Sequence, residues 1–243
     1  MASPRPLWQY DPRSRRYRDL RTGRYIGPDD LRELRDRFAD ALKQETDRLA
    51  QRLFDREITI QVWTLEMRRL IKNSFIAQYA AAVGGTQNMT AADYGRIGAM
   101  LSSQNTGQYW YLQRFAEAIA EGRLSEAQIR ARAALYMGAS VQAFERGKAA
   151  SFGDLRLPAL PGDGSTICLT NCRCEWLISE TTTAWYCTWS LGAAEHCPDC
   201  LERAKMWQPY VVLKGMATLQ ALAAAVGGAD GLRAGLEWPQ WQG

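Results

Sequence analysis

The sequence predicts a mainly α chain, α+β overall. A helical array over residues 28–150 is followed by a small C-terminal module built on a β-hairpin. Three observations carry this. Apolar residues recur at helical spacing from Leu31 to Phe144, two β-rich runs flank the polar stretch Glu180-Thr181-Thr182-Thr183, and all six cysteines fall between Cys168 and Cys200.

The helices follow in order. Leu31, Leu34, Phe38, Leu42, Leu49 and Leu53 form the stripe of one amphipathic helix. A second starts near Thr59, carries Trp63, Met67, Leu70, Ile71, Phe75 and Tyr79, and stops at Gly84-Gly85, where glycine can take the left-handed turn that ends helices. Thr90 with Asp93, and Ser125 with Gln128, have the spacing of capping boxes and open two further helices. Between them, Gln104 to Gly107 breaks the chain before a helix through Tyr109, Leu112, Phe115 and Ile119. The helix from Ser125 runs through Ile129, Tyr136 and Phe144 towards Gly147. Short connections pack these stripes into a bundle-like array. The charged residues of this region are expected on solvated outer faces, and no catalytic or small-molecule cofactor residues are expected.

Composition bounds the rest. A chain of 243 residues with 47% hydrophobic and 23% charged residues is ordinary for a globular protein, and its net charge is +4. The charge is unevenly placed. Residues 1–27 hold seven arginines against Asp11 and Asp19, with too little apolar surface for an independent fold. They are expected to be an extended basic arm that orders on a partner. Trp8 and the tyrosines would anchor it on a protein, or Arg13, Arg15, Arg16 and Arg18 would contact phosphates. Residues 151–166, rich in proline and glycine, read as a linker into a cysteine module at 167–215. Residues 216–243 read as a C-terminal helix, from the apolar run Ala217 to Val226, and a tail bearing Trp238 and Trp241. No stretch is apolar enough for a secretory signal or a membrane span, so no membrane contact and assembly in a reducing cytoplasm are expected.

The cysteines carry the most specific chemistry. Cys172 and Cys174 form a C-x-C hook, and Cys197 and Cys200 a C-x-x-C knuckle; together they supply four thiolates, the donor set of a closed structural zinc site. Cys168 is the alternate ligand, His196 a possible replacement for a sulfur, and Cys187 a small buried hydrophobe. Cys200 is expected to open a helix whose N-terminus favours a thiolate, and Arg173, Arg203 and Lys205 to offset the charge. Strand alternation puts Cys172, Cys174, Trp176 and Ile178 on one face, with Trp185, Cys187, Trp189 and Leu191 on one face of the partner strand. Three disulfides or redox thiols are the competing readings. Disulfide frameworks belong to short secreted domains, and no βαβ pattern surrounds Cys197 and Cys200.

The stretches GDGSTICLTNCRCEWLI, residues 162–178, and AWYCTWSLGAAEHCPDCLERAKMWQPY, residues 184–210, resemble the cysteine-rich C-terminal part of tailed-phage minor head proteins of the Mu-type head-morphogenesis group. In that group a helical region precedes a C-x-x-C element and an N-C-R-C element. Here the order of the two is exchanged, and Leu169-Thr170 stands where a His-Pro pair is common. The resemblance implies a non-enzymatic structural protein of the virion's head, assembled in the host cytoplasm with portal and capsid proteins. The alternative from the residues themselves is a zinc-ribbon nucleic-acid-binding protein that uses the arginine-rich arm.

Overall fold

A computed structural model of the chain describes residues 8–153, 155–169, 172–192 and 195–215. The expected C-terminal helix and tryptophan tail at 216–243 lie outside the described residues, as do Thr170 and the side chain of Leu34. Six helices form the N-terminal array: α1 (Pro28–Phe54), α2 (Ile60–Val83), α3 (Ala91–Ser102), α4 (Gln108–Ala120), α5 (Glu126–Ala139) and α6 (Val141–Ala150). The cysteine module contains β3 (Glu175–Glu180), β4 (Ala184–Ser190), α7 (Pro198–Met206) and β5 (Tyr210–Leu213).

Local signals set most helix ends. Thr59 caps α2 by accepting the Val62 N–H, and Gly84, at φ 91°, closes it in the left-handed conformation. Thr90 with Asp93 and Ser125 with Gln128 form reciprocal capping boxes on α3 and α5. The helix expected to continue from Ser125 towards Gly147 instead breaks at Ser140. Both the N–H and the hydroxyl of Ser140 turn back onto the Met137 carbonyl, at 3.3 and 2.6 Å, and α6 starts at Val141.

The core lies around α2. Trp63, Met67, Ile71, Phe75 and Tyr79, one turn apart, are fully buried against α4, α5 and α6. α6 comes close enough to α2 that a Cβ added at Gly147 would stand 2.9 Å from the Tyr79 carbonyl oxygen. Along α1 the expected stripe holds only in its second half. Phe38 is 39% exposed, whereas Arg35 and Ala39 are buried.

That exchange has an electrostatic reason. Arg35 Nη1 reaches Glu145 Oε1 at 3.5 Å and Glu175 Oε2 at 3.9 Å. Lys148 Nζ stands 2.9 Å from Glu145, Arg32 pairs with Glu175, and the Trp176 N–H donates to Glu145 at 3.2 Å. These charges are not solvated outer faces. They are a buried ionic junction between α1, α6 and the first strand of the cysteine module, and burial of such groups is tolerable only because each charge faces opposite ones.

The basic arm also differs from its expectation. Residues 8–26 hold a hairpin of β1 (Trp8–Asp11) and β2 (Arg16–Asp19) docked on the chain's own surface. Tyr17 donates to the Ala81 carbonyl at 2.7 Å, and the Tyr10 ring covers Gly84, where an added Cβ would fall 2.2 Å from it. Arg15 donates to the Ser151 carbonyl at 3.0 Å, lies 4.3 Å over the Phe152 ring and pairs with Glu180. The hairpin needs no core of its own because its tyrosines borrow the end of α2.

Residues 151–166 are likewise part of the module and not a spacer. Leu155 is buried, with Phe152, Leu157 and Leu160 packed beside it in a second core. The module's sheet is antiparallel in the order β3-β4-β5. The Glu180 to Thr183 turn and the two expected strands are in place, with Trp176 opposite Trp189 and Ile178 opposite Cys187. The residues from Tyr210 to Leu213 extend the hairpin as a third strand. Trp176, Trp189 and Trp207 meet at ring-centroid distances of 5.1 to 5.6 Å, and this trio forms the centre of the second core.

Candidate metal centre

Two structures deliver the sulfurs to one place. β3 extends from Cys172 and Cys174, and α7 starts at Cys197, which is its N-cap; Pro198 occupies the first helical position and Cys200 the first turn. A third piece is fixed from outside. Asp199 of α7 accepts the Ile167 N–H at 2.8 Å, and the Leu169 N–H closes a turn onto the Thr166 carbonyl at 2.8 Å. Cys168 is thereby held beside α7.

The sulfurs of Cys168, Cys172 and Cys200 all lie within 4.8 Å of one another. Individual separations are 3.8 Å for Cys168 to Cys200, 3.6 Å for Cys172 to Cys200 and 3.5 Å for Cys168 to Cys197. Four sulfurs at the corners of a zinc tetrahedron, each about 2.3 Å from the ion, stand about 3.8 Å apart. The cluster therefore has the spacing and the donor chemistry to hold a metal ion such as zinc. No pair is joined as a disulfide.

The expected residues are distributed unevenly. Cys168, read as the alternate, is central to the cluster. Cys172 and Cys200 are in it, and Cys197 reaches it through Cys168. Cys174 neighbours Cys172 and Cys200 but is outside the mutual trio. The physical reason is local. Cys172 and Cys174 precede the first residue of β3, whereas the turn at Thr166 brings Cys168 back over the α7 start. His196 is outside the group, and Cys187 is fully buried in the second core. Arg203 stacks 5.3 Å from Trp189 and 5.6 Å from Trp207, which gives it a packing role.

The thiol acidities reflect burial and the crowding of the sulfurs. The Cys172 thiol is pushed well up by the adjoining Cys174 thiol and by burial. Burial and the neighbouring Cys172 raise Cys200, and burial raises Cys168. Burial alone pushes Cys187 up to about 11. Cys197 is lowered: burial opposes ionisation, but the Cys200 N–H and the Cys168 thiol stabilise its thiolate. The N–H that favours the Cys197 thiolate is that of Cys200, in the first turn of α7. Crowded neutral thiols of this kind ionise together only beside a cation, whose charge reverses the local preference.

The fold and site define an α+β protein: a helical N-terminal array carrying small antiparallel sheets next to a cysteine cluster able to hold a metal ion. No family model matches the chain, and no curated protein or solved structure shows significant similarity to it. Among the described residues, no helix is long and apolar enough to cross a membrane.

Proposed function

We propose that the chain is a structural, non-enzymatic protein of a tailed-phage head in which zinc staples the C-terminal module. The observation that carries the metal part is the convergence of Cys168, Cys172 and Cys200 within 4.8 Å, with Cys197 at 3.5 Å from Cys168. Cys168, Cys172, Cys197 and Cys200 would hold the ion, and Cys174 would stand beside it. Bound there, zinc supplies a cross-link between the 166–172 loop and α7, of a kind that contributes on the order of 10 kcal/mol to folding small modules. Thiolates in all four positions leave no place for water or substrate, which supports a mechanical role.

The phage-head part is supported by the resemblance of residues 162–178 and 184–210 to the Mu-type head-morphogenesis group, and portal and capsid proteins are the partners it implies. Co-purification with the portal and major capsid proteins of the same genome tests it. A chain that forms no complex with either, and whose deletion leaves head assembly unchanged, would remove this reading. The nucleic-acid alternative is favoured by one observation, the exposure of Arg13, Arg16 and Arg18 on the docked hairpin. DNA affinity that falls steeply between low and moderate salt would support it, because counterion release scales with the phosphates contacted.

A further inference from the structure

A cleft of about 610 Å³ opens between α3, α4, α5 and α6 and is closed on one side by the Gly162 to Leu169 loop. We propose that it is a docking site for a short acidic peptide segment of a partner protein. Two buried carboxamides face it. Gln108 and Gln142 are only 4% and 6% exposed, both line the cleft, and neither side chain has a hydrogen-bond partner among the described residues. Neither amide is shut off from solvent, so both open onto the cleft, where a polar occupant can take the place of water.

Two cations in the same cleft are also without counter-ions. Neither Arg132 nor Arg146 pairs with a carboxylate among the described residues, and Arg146 Nε has neither solvent nor a partner. Arg132 is held flat, its guanidinium 4.8 Å over the Phe115 ring. Two further charges line the cleft, Arg96 and Asp163. Arg96 pairs with Asp93 at 2.7 Å, and Asp163 accepts the N–H groups of Leu160 and Ser165 at 2.7 and 2.9 Å. The cleft lining therefore carries three arginines, Arg96, Arg132 and Arg146, against the single carboxylate of Asp163.

The combination selects the ligand class. Guanidinium forks match carboxylates, and a carboxamide offers the donor and acceptor that a peptide backbone amide requires. Met100, Leu135 and Leu169 supply apolar wall for a neighbouring aliphatic side chain. A bare phosphate would use the arginines and leave the amides and the apolar wall unused. The volume suits a few residues.

This site stands apart from the phage-head reading, since its chemistry does not depend on the metal or on the identity of the partner. The test uses the full chain and an array of capped, fluorescein-labelled pentapeptides of leucine with none, one or two glutamates, read by anisotropy, with inorganic phosphate as competitor. Carboxylate-bearing peptides should bind about ten-fold or more tighter than their glutamine counterparts, and Arg146→Gln and Arg132→Gln should each erase most of that preference. Arg132 is exposed, so its variant keeps the helical melt and separates binding from folding. Gln142→Leu should weaken every peptide alike. Absence of carboxylate-dependent binding across the array, an unaltered preference in both arginine variants, or full displacement by phosphate at equal concentration would each overturn the proposal. Peptide binding without any portal or capsid contact would uphold it while removing the phage-head reading.

Discussion

The helical array and the cysteine module hold together by different means. In the array, a stripe of large apolar residues on α2 is enclosed by neighbouring helices, with Trp63, Met67, Ile71 and Phe75 fully buried. In the module, three short strands and one short helix gather around three indoles and a knot of sulfur. A three-stranded sheet of this size buries little relative to the chain it must order. The difference teaches that the same chain is stabilised by apolar area at one end and, in the proposed reading, by coordination at the other, with a buried ionic junction between them.

Metal removal should separate the two most sharply. Chelation, or Cys200→Ser, is expected to cost the module on the order of 10 kcal/mol, seen as loss of the fluorescence of Trp176, Trp189 and Trp207 in an otherwise helical far-ultraviolet spectrum. If indole and helical signals both persist, the module is held by its apolar core alone. Phe75→Ala should do the reverse, lowering the helical melt by roughly 3–5 kcal/mol through the cavity it leaves in the first core. Metal content should stay unchanged.

The junction tests whether the regions are coupled. Glu145→Ala takes one of their carboxylate partners from Arg35 and Lys148 and the acceptor from the Trp176 N–H, and a buried pair broken from one side costs roughly 3–5 kcal/mol. Both transitions should move together in calorimetry; a shift confined to the helices would show that the module folds independently of α1 and α6.

Smaller effects belong to the caps. Thr90→Ala should cost about 1 kcal/mol. Its partner Asp93 gives a pH signature. Burial acts to raise that carboxyl, but hydrogen bonds from Tyr79 and Thr90 outweigh it and its pKa is lowered. Its contribution is therefore present above the unfolded value near pH 4 and is lost as pH falls through the folded one. Asp93→Asn should flatten that acid limb of a stability profile while lowering stability at neutral pH.

The sequence was informative wherever a residue's effect is local. Thr59, Gly84, the Thr90 and Ser125 boxes and the 180–183 turn act on neighbours a few positions away, so spacing alone located those ends. The hairpin's alternation likewise put Trp176, Trp189 and Cys187 on the inward face. Expectations weakened where a partner is distant along the chain. Arg35 and Glu145 look like surface charges until α1, α6 and β3 are brought together, and Tyr10 and Tyr17 look like interface anchors until Gly84 supplies the flat surface under them.

The cysteine cluster shows the division in one site. Cysteine type and spacing determined that a metal-binding arrangement was available, because sulfur donors in hook and knuckle pairs are what a closed zinc site uses. Which sulfurs meet was decided only in three dimensions: the Asp199 contact to Ile167 pulls Cys168 onto the start of α7, and Cys174 stays outside the mutual trio. Short-range propensity is written residue by residue, whereas the choice among equivalent donors depends on where separate segments of backbone come to rest.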